Sequence, residues 1–240
     1  RRIQETIIKI IPEIDDLKIV SQYKPMESLG GDIYEIRSIS PDIYSFFIAD
    51  VSGHGVPAAL ITTMAKTSFL NRSHHEKSTV EICQQVNQDL YTLLSGTTIF
   101  LTVFFAFLDR TTLELRYTNC GHVPTYIYRD DIKQIEALKT EGTSLGIIGE
   151  PVLYCEKTKL SVNDKIILYT DGIPEALNSK EEFYTQERLV ELLQRVGHLT
   201  PEEILEKFNE DMKEFCGSRP PDDDRAIVII QIVKKVYEIT

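Results

Sequence analysis

The run Ile43–Val51 is apolar through Tyr44-Ser45-Phe46-Phe47-Ile48-Ala49, the pattern of a strand buried on both faces. Such a strand needs a covering layer above and below it, which excludes a single exposed sheet and calls for a layered fold. It breaks at Gly53-His54-Gly55. Other strand-like runs fall at Leu17–Tyr23, Asp32–Ser38, Ile99–Asp109, Leu113–Thr118, Thr125–Tyr128, Val152–Lys157, Lys165–Thr170 and Ala226–Val233. Asp109-Arg110-Thr111-Thr112 reads as a turn that joins two of them into an antiparallel hairpin. Helical spacing of apolar residues falls at Val56–Leu70, Thr79–Leu94, Gln186–Val196 and Pro201–Phe215. Strands outnumber helices and come in hairpins, with helices in pairs between them. The expected fold class is α+β, antiparallel sheets packed together and covered by helices.

The chain has 240 residues, 42% of them hydrophobic, enough to bury a full-sized core. No internal repeat, low-complexity tract or Gly/Ser linker divides it. At its start, Ile3, Ile7, Ile8 and Ile11 take helical spacing before Pro12. Residues 1–14 are expected to be a linker helix, the end of a truncated upstream region, and 15–240 to be the one domain. Ile3, Ile7 and Ile11 also form a narrow apolar seam through which a homodimer would pair. Lys and Arg total 26 against 37 Asp and Glu, a net charge of −11 that works against binding of nucleic acid. Cys83, Cys120, Cys155 and Cys216 make no zinc or CxxC spacing, so reduced thiols and a cytoplasmic location are expected. No stretch approaches the ~20 apolar residues of a membrane span, so this domain should make no membrane contact, although a longer protein could be anchored upstream.

Four acidic positions share one local logic. Each lies where a strand-like run meets a turn containing glycine or polar residues: Gly30-Gly31-Asp32, Asp50-Val51-Ser52-Gly53, Thr170-Asp171-Gly172 and Asp222-Asp223-Asp224. Strand ends can gather distant carboxylates, and hard divalent cations want oxygen ligands, including carbonyls that glycine turns let approach. Taken singly, each is an ordinary turn or cap residue, or a solvated loop. Their joint occurrence points to a metal site.

The ordered set Leu29-Gly30-Gly31-Asp32-Ile33-Tyr34, Ala49-Asp50-Val51-Ser52-Gly53-His54-Gly55, Tyr169-Thr170-Asp171-Gly172 and Asp223-Asp224-Arg225-Ala226 resembles the SpoIIE-like bacterial branch of the PPM (type 2C) serine/threonine protein phosphatases. Asn119-Cys120-Gly121-His122 looks like that family's Gly-His turn, and Gly142-Thr143-Ser144-Leu145-Gly146 matches as well, so the resemblance runs from about Leu17 to Val233. It implies an αββα sandwich with a two-metal site at one edge, two Mn²⁺ or Mg²⁺ ions, and a phosphoserine or phosphothreonine protein substrate.

Carried over residue by residue, the resemblance makes Asp50 the ligand bridging both ions with the Val51 carbonyl beside it, Asp32 a ligand of one ion, and Asp171 and Asp223 ligands of the other. Asp32, Asp50 and Asp171 are the residues on which catalysis would rest, because paired cations activate and aim a water at phosphorus. The run of aspartates leaves the last ligand open between Asp223 and Asp224, with Asp223 preferred. Glu35 follows Tyr34 where the family often has aspartate, and Ala226 replaces a usual threonine. His54 reads as a turn residue near the metals or as a proton donor to the leaving alkoxide. His122 is expected to lie away from the metals. The family also implies a partner, a phosphorylated anti-anti-sigma (STAS) protein, and an upstream sensor module in the same chain. The alternative function is an inactive or weakly active scaffold in partner switching.

Overall fold

The computed structural model describes residues 14–26, 30–74 and 77–234. The expected linker helix and its apolar seam lie outside the described residues. Among the described residues, ten strands form two five-stranded, fully antiparallel sheets. The first runs β1 (Leu17–Lys24), β10 (Arg225–Ile232), β9 (Lys165–Tyr169), β6 (Thr125–Arg129) and β7 (Gln134–Leu138). The second runs β2 (Ile33–Ser40), β3 (Ile43–Val51), β4 (Leu101–Asp109), β5 (Glu114–Cys120) and β8 (Glu156–Lys159). Helices α1 (Gly55–Arg72) and α2 (Thr79–Leu94) cover the second sheet, and α3 (Gln186–Val196) and α4 (Pro201–Cys216) cover the first. The order of layers is helix, sheet, sheet, helix, as expected.

β3 and β4 lie at the heart of their sheet and are buried on both faces, which is why Ile43–Val51 shows no alternation of polar and apolar residues. One side packs against the other sheet. The other packs under α1, where Phe69 stacks on Phe47 and Phe105 with ring centroids 4.7 and 5.3 Å apart. A second apolar cluster, including Tyr169, Leu189, Phe208 and Ile229, lies between the first sheet and α3 and α4. Two helices begin at reciprocal caps: Ser78 with Glu81 for α2, and Thr200 with Glu203 for α4, which also starts on Pro201.

α1 departs from the usual amphipathic plan. Its buried face carries Thr62, Lys66 and Ser68, whereas Val56, Leu60 and Met64 are exposed. Lys66 forms a buried ion pair with Glu35 of β2 at 2.6 Å, and Thr62 Oγ1 donates to the Gly31 carbonyl at 2.9 Å. α1 is therefore seated on the start of β2 by polar links as well as by Phe69.

Two strands differ from the expectation. β7, Gln-Ile-Glu-Ala-Leu, is an edge strand of mostly polar residues whose pattern is too weak to stand out. The strand expected at Val152–Lys157 is displaced to Glu156–Lys159, because the exposed Glu-Lys-Thr-Lys pairs with β5 while Val152 and Tyr154 face outward.

Candidate active site

Antiparallel pairing places Ile33 opposite Ala49, so Asp32, one residue before β2, stands beside Asp50 near the end of β3. In the other sheet Tyr169 at the end of β9 is opposite Ile227 of β10, so Asp171 and Asp223 flank the same rim. The two rims form one edge of the sandwich. Thr170 joins them: its hydroxyl donates to Asp32 Oδ2 at 2.6 Å while its oxygen accepts the Ala226 N–H at 2.9 Å.

Two glycines make this edge possible by having no side chain. A Cβ on Gly31 would lie 2.7 Å from the Val51 carbonyl oxygen and 3.5 Å from Asp50 Oδ1, filling the space on which those oxygens border. A Cβ on Gly172 would collide with the Asp224 carbonyl oxygen, forcing the Asp171 turn and the Asp223 loop apart.

Charge is unbalanced here. Burial, and then the neighbouring Asp50 charge, hold the Asp32 carboxyl well above the usual carboxylate range. Asp50 is pushed up to about 8, by burial first and then by Asp171 and Asp223, with Asp32 pulling it back. Asp171 is raised to about 6 by burial, Glu175 and Asp223. Asp223 is also raised, by burial first, with His54 and Arg225 pulling it back. Among the described residues, the charges acting most strongly on Asp32 and Asp50 are carboxylates.

A set of crowded carboxyl oxygens beside an inward carbonyl and a bare glycine suits a hard divalent cation and no soft one. Among the described residues no three Asp, Glu, His or Cys side chains already converge into a group that would hold an ion. Carbonyl oxygen and water would have to complete each shell, as they do for Mg²⁺-type sites.

The structure brings Asp32, Asp50, Val51, Asp171 and Asp223 to this edge. Asp224 is different: its two oxygens accept the Met26 and Gly31 N–H groups, each at 2.7 Å, so it fastens the loop before β2. Asp223, exposed beside it, accepts the Asp224 N–H at 2.7 Å and acts electrostatically on Asp50 and Asp171. Glu35 is turned away into its ion pair with Lys66. His54 is the exposed N-cap residue of α1, with no side-chain cap bond, and acts electrostatically on Asp223.

Two residues escaped the sequence reading. Thr170 carries no motif signal apart from its place before Asp171. His122, expected away from the metals, is buried between the sheets, with Nδ1 2.8 Å from Thr102 Oγ1 and Nε2 3.0 Å from the Tyr169 carbonyl. A cavity of about 480 Å³ opens beside it, lined by Pro124, Leu138, Lys139 and Tyr154, and holds none of the candidate aspartates.

The sequence model of the stage II sporulation protein E (SpoIIE) family matches residues 40–233. The chain belongs to the SpoIIE family. Among relatives of this SpoIIE-family domain, protein IcfG of Synechocystis is 27% identical over 240 residues, covering 88% of this chain and 37% of IcfG. The phosphoserine phosphatase RsbP of Bacillus subtilis is 25% identical over 176 residues, covering 72% of this chain and 43% of RsbP. The chain thus spans less than half the length of these two curated relatives. In three dimensions it is similar to the SiaA PP2C domain of Pseudomonas aeruginosa, with a TM-score of 0.78 at 22% identity, over 89% of this chain and 84% of that one. The fold of this SpoIIE-family domain is the PP2C fold.

Proposed function

We propose that this domain hydrolyses phosphoserine or phosphothreonine on a partner protein with the help of two divalent ions, Mn²⁺ or Mg²⁺. The observation that carries the reading is the meeting of Asp32, Asp50, Asp171 and Asp223 from two sheets at one edge, with carboxylates as the strongest charges on the buried pair. PP2C-type phosphatases depend on metal, typically manganese or magnesium, and the name of RsbP supports a phosphoserine substrate. Asp32, Asp50 with the Val51 carbonyl, Asp171 and Asp223 would hold the ions. When bound, the ions would supply Lewis-acid activation of water and neutralise charge on the phosphoryl group.

The chain's own residues do the rest by placement. The Thr170 hydroxyl orients one Asp32 oxygen, and Gly31, lacking a Cβ, leaves room beside the Asp50 and Val51 oxygens. Asp224 accepts the Met26 and Gly31 N–H groups and so holds the Gly31 turn against the loop that carries Asp223. No side-chain nucleophile is required.

The partner in this reading is a phosphorylated anti-anti-sigma (STAS) protein, and the domain works in the cytoplasm under an upstream sensor module. Among the described residues no helix is long and apolar enough to cross a membrane. The exposed, uncharged face of α1, with Val56, Leu60 and Met64, supports contact with such a module. Comparing the chain with and without residues 1–14, in isolation and joined to its upstream region, tests that regulation: identical activity and metal dependence would end it.

The deciding experiment is hydrolysis of p-nitrophenyl phosphate and of a phosphorylated STAS protein with Mn²⁺ or EDTA, for the wild type and Asp171→Asn. Activity that requires Mn²⁺ and drops at least about 100-fold in the variant is expected. Phosphoprotein binding without turnover or metal dependence would instead identify a scaffold.

A further inference from the structure

His122 lies 47 residues from Tyr169 in sequence, yet its imidazole closes a bridge between the two sheets. On one side Nε2 meets the Tyr169 carbonyl at 3.0 Å, two residues before Asp171. On the other, Nδ1 meets Thr102 Oγ1 at 2.8 Å, and Thr102 is the residue directly opposite Asp50 in the β3–β4 ladder. A carbonyl can only accept, so Nε2 carries the proton. In the neutral ring Nδ1 is then the acceptor, and the Thr102 hydroxyl donates to it. The tautomer is fixed by its neighbours.

The ring's own position is equally constrained. Asn119 Oδ1 accepts the His122 N–H at 2.7 Å, and Asn119 Nδ2 donates to the His122 carbonyl at 3.0 Å. Asn119 is itself registered opposite Phe104 in β4. The imidazole is thus clamped at the backbone and at both nitrogens, which packing alone would not require. Burial pushes its pKa down to about 4, so it stays uncharged at neutral pH.

We propose that His122 is a positioning residue: by gripping the Tyr169 carbonyl of one sheet and the Thr102 hydroxyl of the other, it sets the separation across which Asp171 faces Asp50. The inference rests on the phosphatase reading only in taking these aspartates as metal ligands. It assigns His122 no contact with substrate or ion.

Two substitutions separate the two grips. His122→Gln can return an N–H near the place of Nε2, and so keep the Tyr169 link. His122→Asn can return an acceptor near the place of Nδ1, and so keep only the Thr102 link. Calorimetric titration of Mn²⁺ into the 240-residue chain should give both variants a Kd at least about tenfold weaker than wild type, since each keeps one grip and the bridge needs both. Thermal melting without metal should fall alike in both, since each loses one buried hydrogen bond. Mn²⁺ affinity that is unchanged in either variant would overturn the proposal.

If either variant fails to fold, Thr102→Val against Thr102→Ser reads the same bridge from its other end, with Val expected to weaken Mn²⁺ binding about tenfold and Ser to retain it. Imidazole ¹⁵N NMR of the wild type adds an independent outcome. The Nε2–H tautomer is expected, and an Nδ1–H ring would overturn the bridge regardless of any metal. A wild-type chain that binds no Mn²⁺ while its ring is Nε2–H would sink the metal-ligand reading, and the role of His122 in it, while leaving the bridge intact.

Discussion

The Thr170 hydroxyl stands 2.6 Å from Asp32 Oδ2, joining residues 138 positions apart and belonging to different sheets. It is the contact that most favours the ionised form of a carboxyl otherwise pushed up by burial and by Asp50. Thr170→Val should therefore hold the proton on Asp32 more firmly and orphan the Ala226 N–H at the same time. We expect a loss of about 1–3 kcal/mol in stability by urea unfolding and about tenfold weaker Mn²⁺ binding by calorimetry. Thr170→Ser, which keeps the hydroxyl, should stay near wild type in both.

Acidification should act on stability through His122. Its folded-state pKa, about 4, lies below the ordinary 6.5, so between those values the unfolded chain binds more protons than the folded one. Stability from this group is complete above pH 6.5 and is lost as pH falls toward 4, by about 3 kcal/mol in all. Urea unfolding at a series of pH values, wild type against His122→Gln, isolates the effect. The gap between the two curves should narrow as pH drops, and a constant gap would contradict it.

The acidic edge carries the opposite sign. Asp50, at about 8, and Asp171, at about 6, sit above ordinary carboxylates, so the folded chain without metal binds more protons than the unfolded one from pH 4 upward. Stability of the metal-free chain from these groups is present below pH 4 and is lost as pH rises through 6 and 8. Asp50→Asn, neutral throughout, should then raise the metal-free melting point at pH 8 by the equivalent of about 1–3 kcal/mol, while abolishing Mn²⁺ binding. For wild type, Mn²⁺ affinity should climb between pH 6 and 8, with protons released on binding, because ligand carboxyls must ionise first. Calorimetry in buffers of different ionisation enthalpy counts those protons.

What could be read in the chain follows from how far each signal reaches. Ile43–Val51 announces its burial residue by residue, and the turns around Gly31, Gly53 and Gly172 mark where strands end, so the layers and the meeting of Asp32, Asp50 and Asp171 were legible locally. The family match, over residues 40–233, includes the Asp50 and Asp171 turns and begins after that of Asp32. The sequence preferred Asp223 over Asp224, but the role of Asp224 in fastening the loop was not legible, because it depends on N–H groups of Met26 and Gly31, nearly 200 positions away. Thr170 and His122 were missed for the same reason: one hydroxyl and one imidazole gain their meaning only from a partner on the opposite sheet. β7 was missed because a polar edge strand needs no apolar alternation to be held by its neighbour.

Lys66 and Glu35 offer a test of how α1 is seated. Their nitrogen and oxygen are 2.6 Å apart, and both side chains are nearly inaccessible to water. A buried ion pair contributes little net stability compared with apolar residues of the same shape, yet removing one partner strands a charge in a medium that cannot solvate it. Lys66→Met alone should therefore destabilise the chain by about 3–5 kcal/mol in urea, while Glu35→Leu combined with Lys66→Met should recover most of that loss. Since α1 begins directly after the Asp50-Val51 turn and Thr62 holds the Gly31 carbonyl, the single variant should also weaken Mn²⁺ binding as the helix loosens over the site. If both variants unfold at the same urea concentration as wild type, the pair is solvated in practice and α1 is held by Thr62 and by Phe69 with its aromatic neighbours.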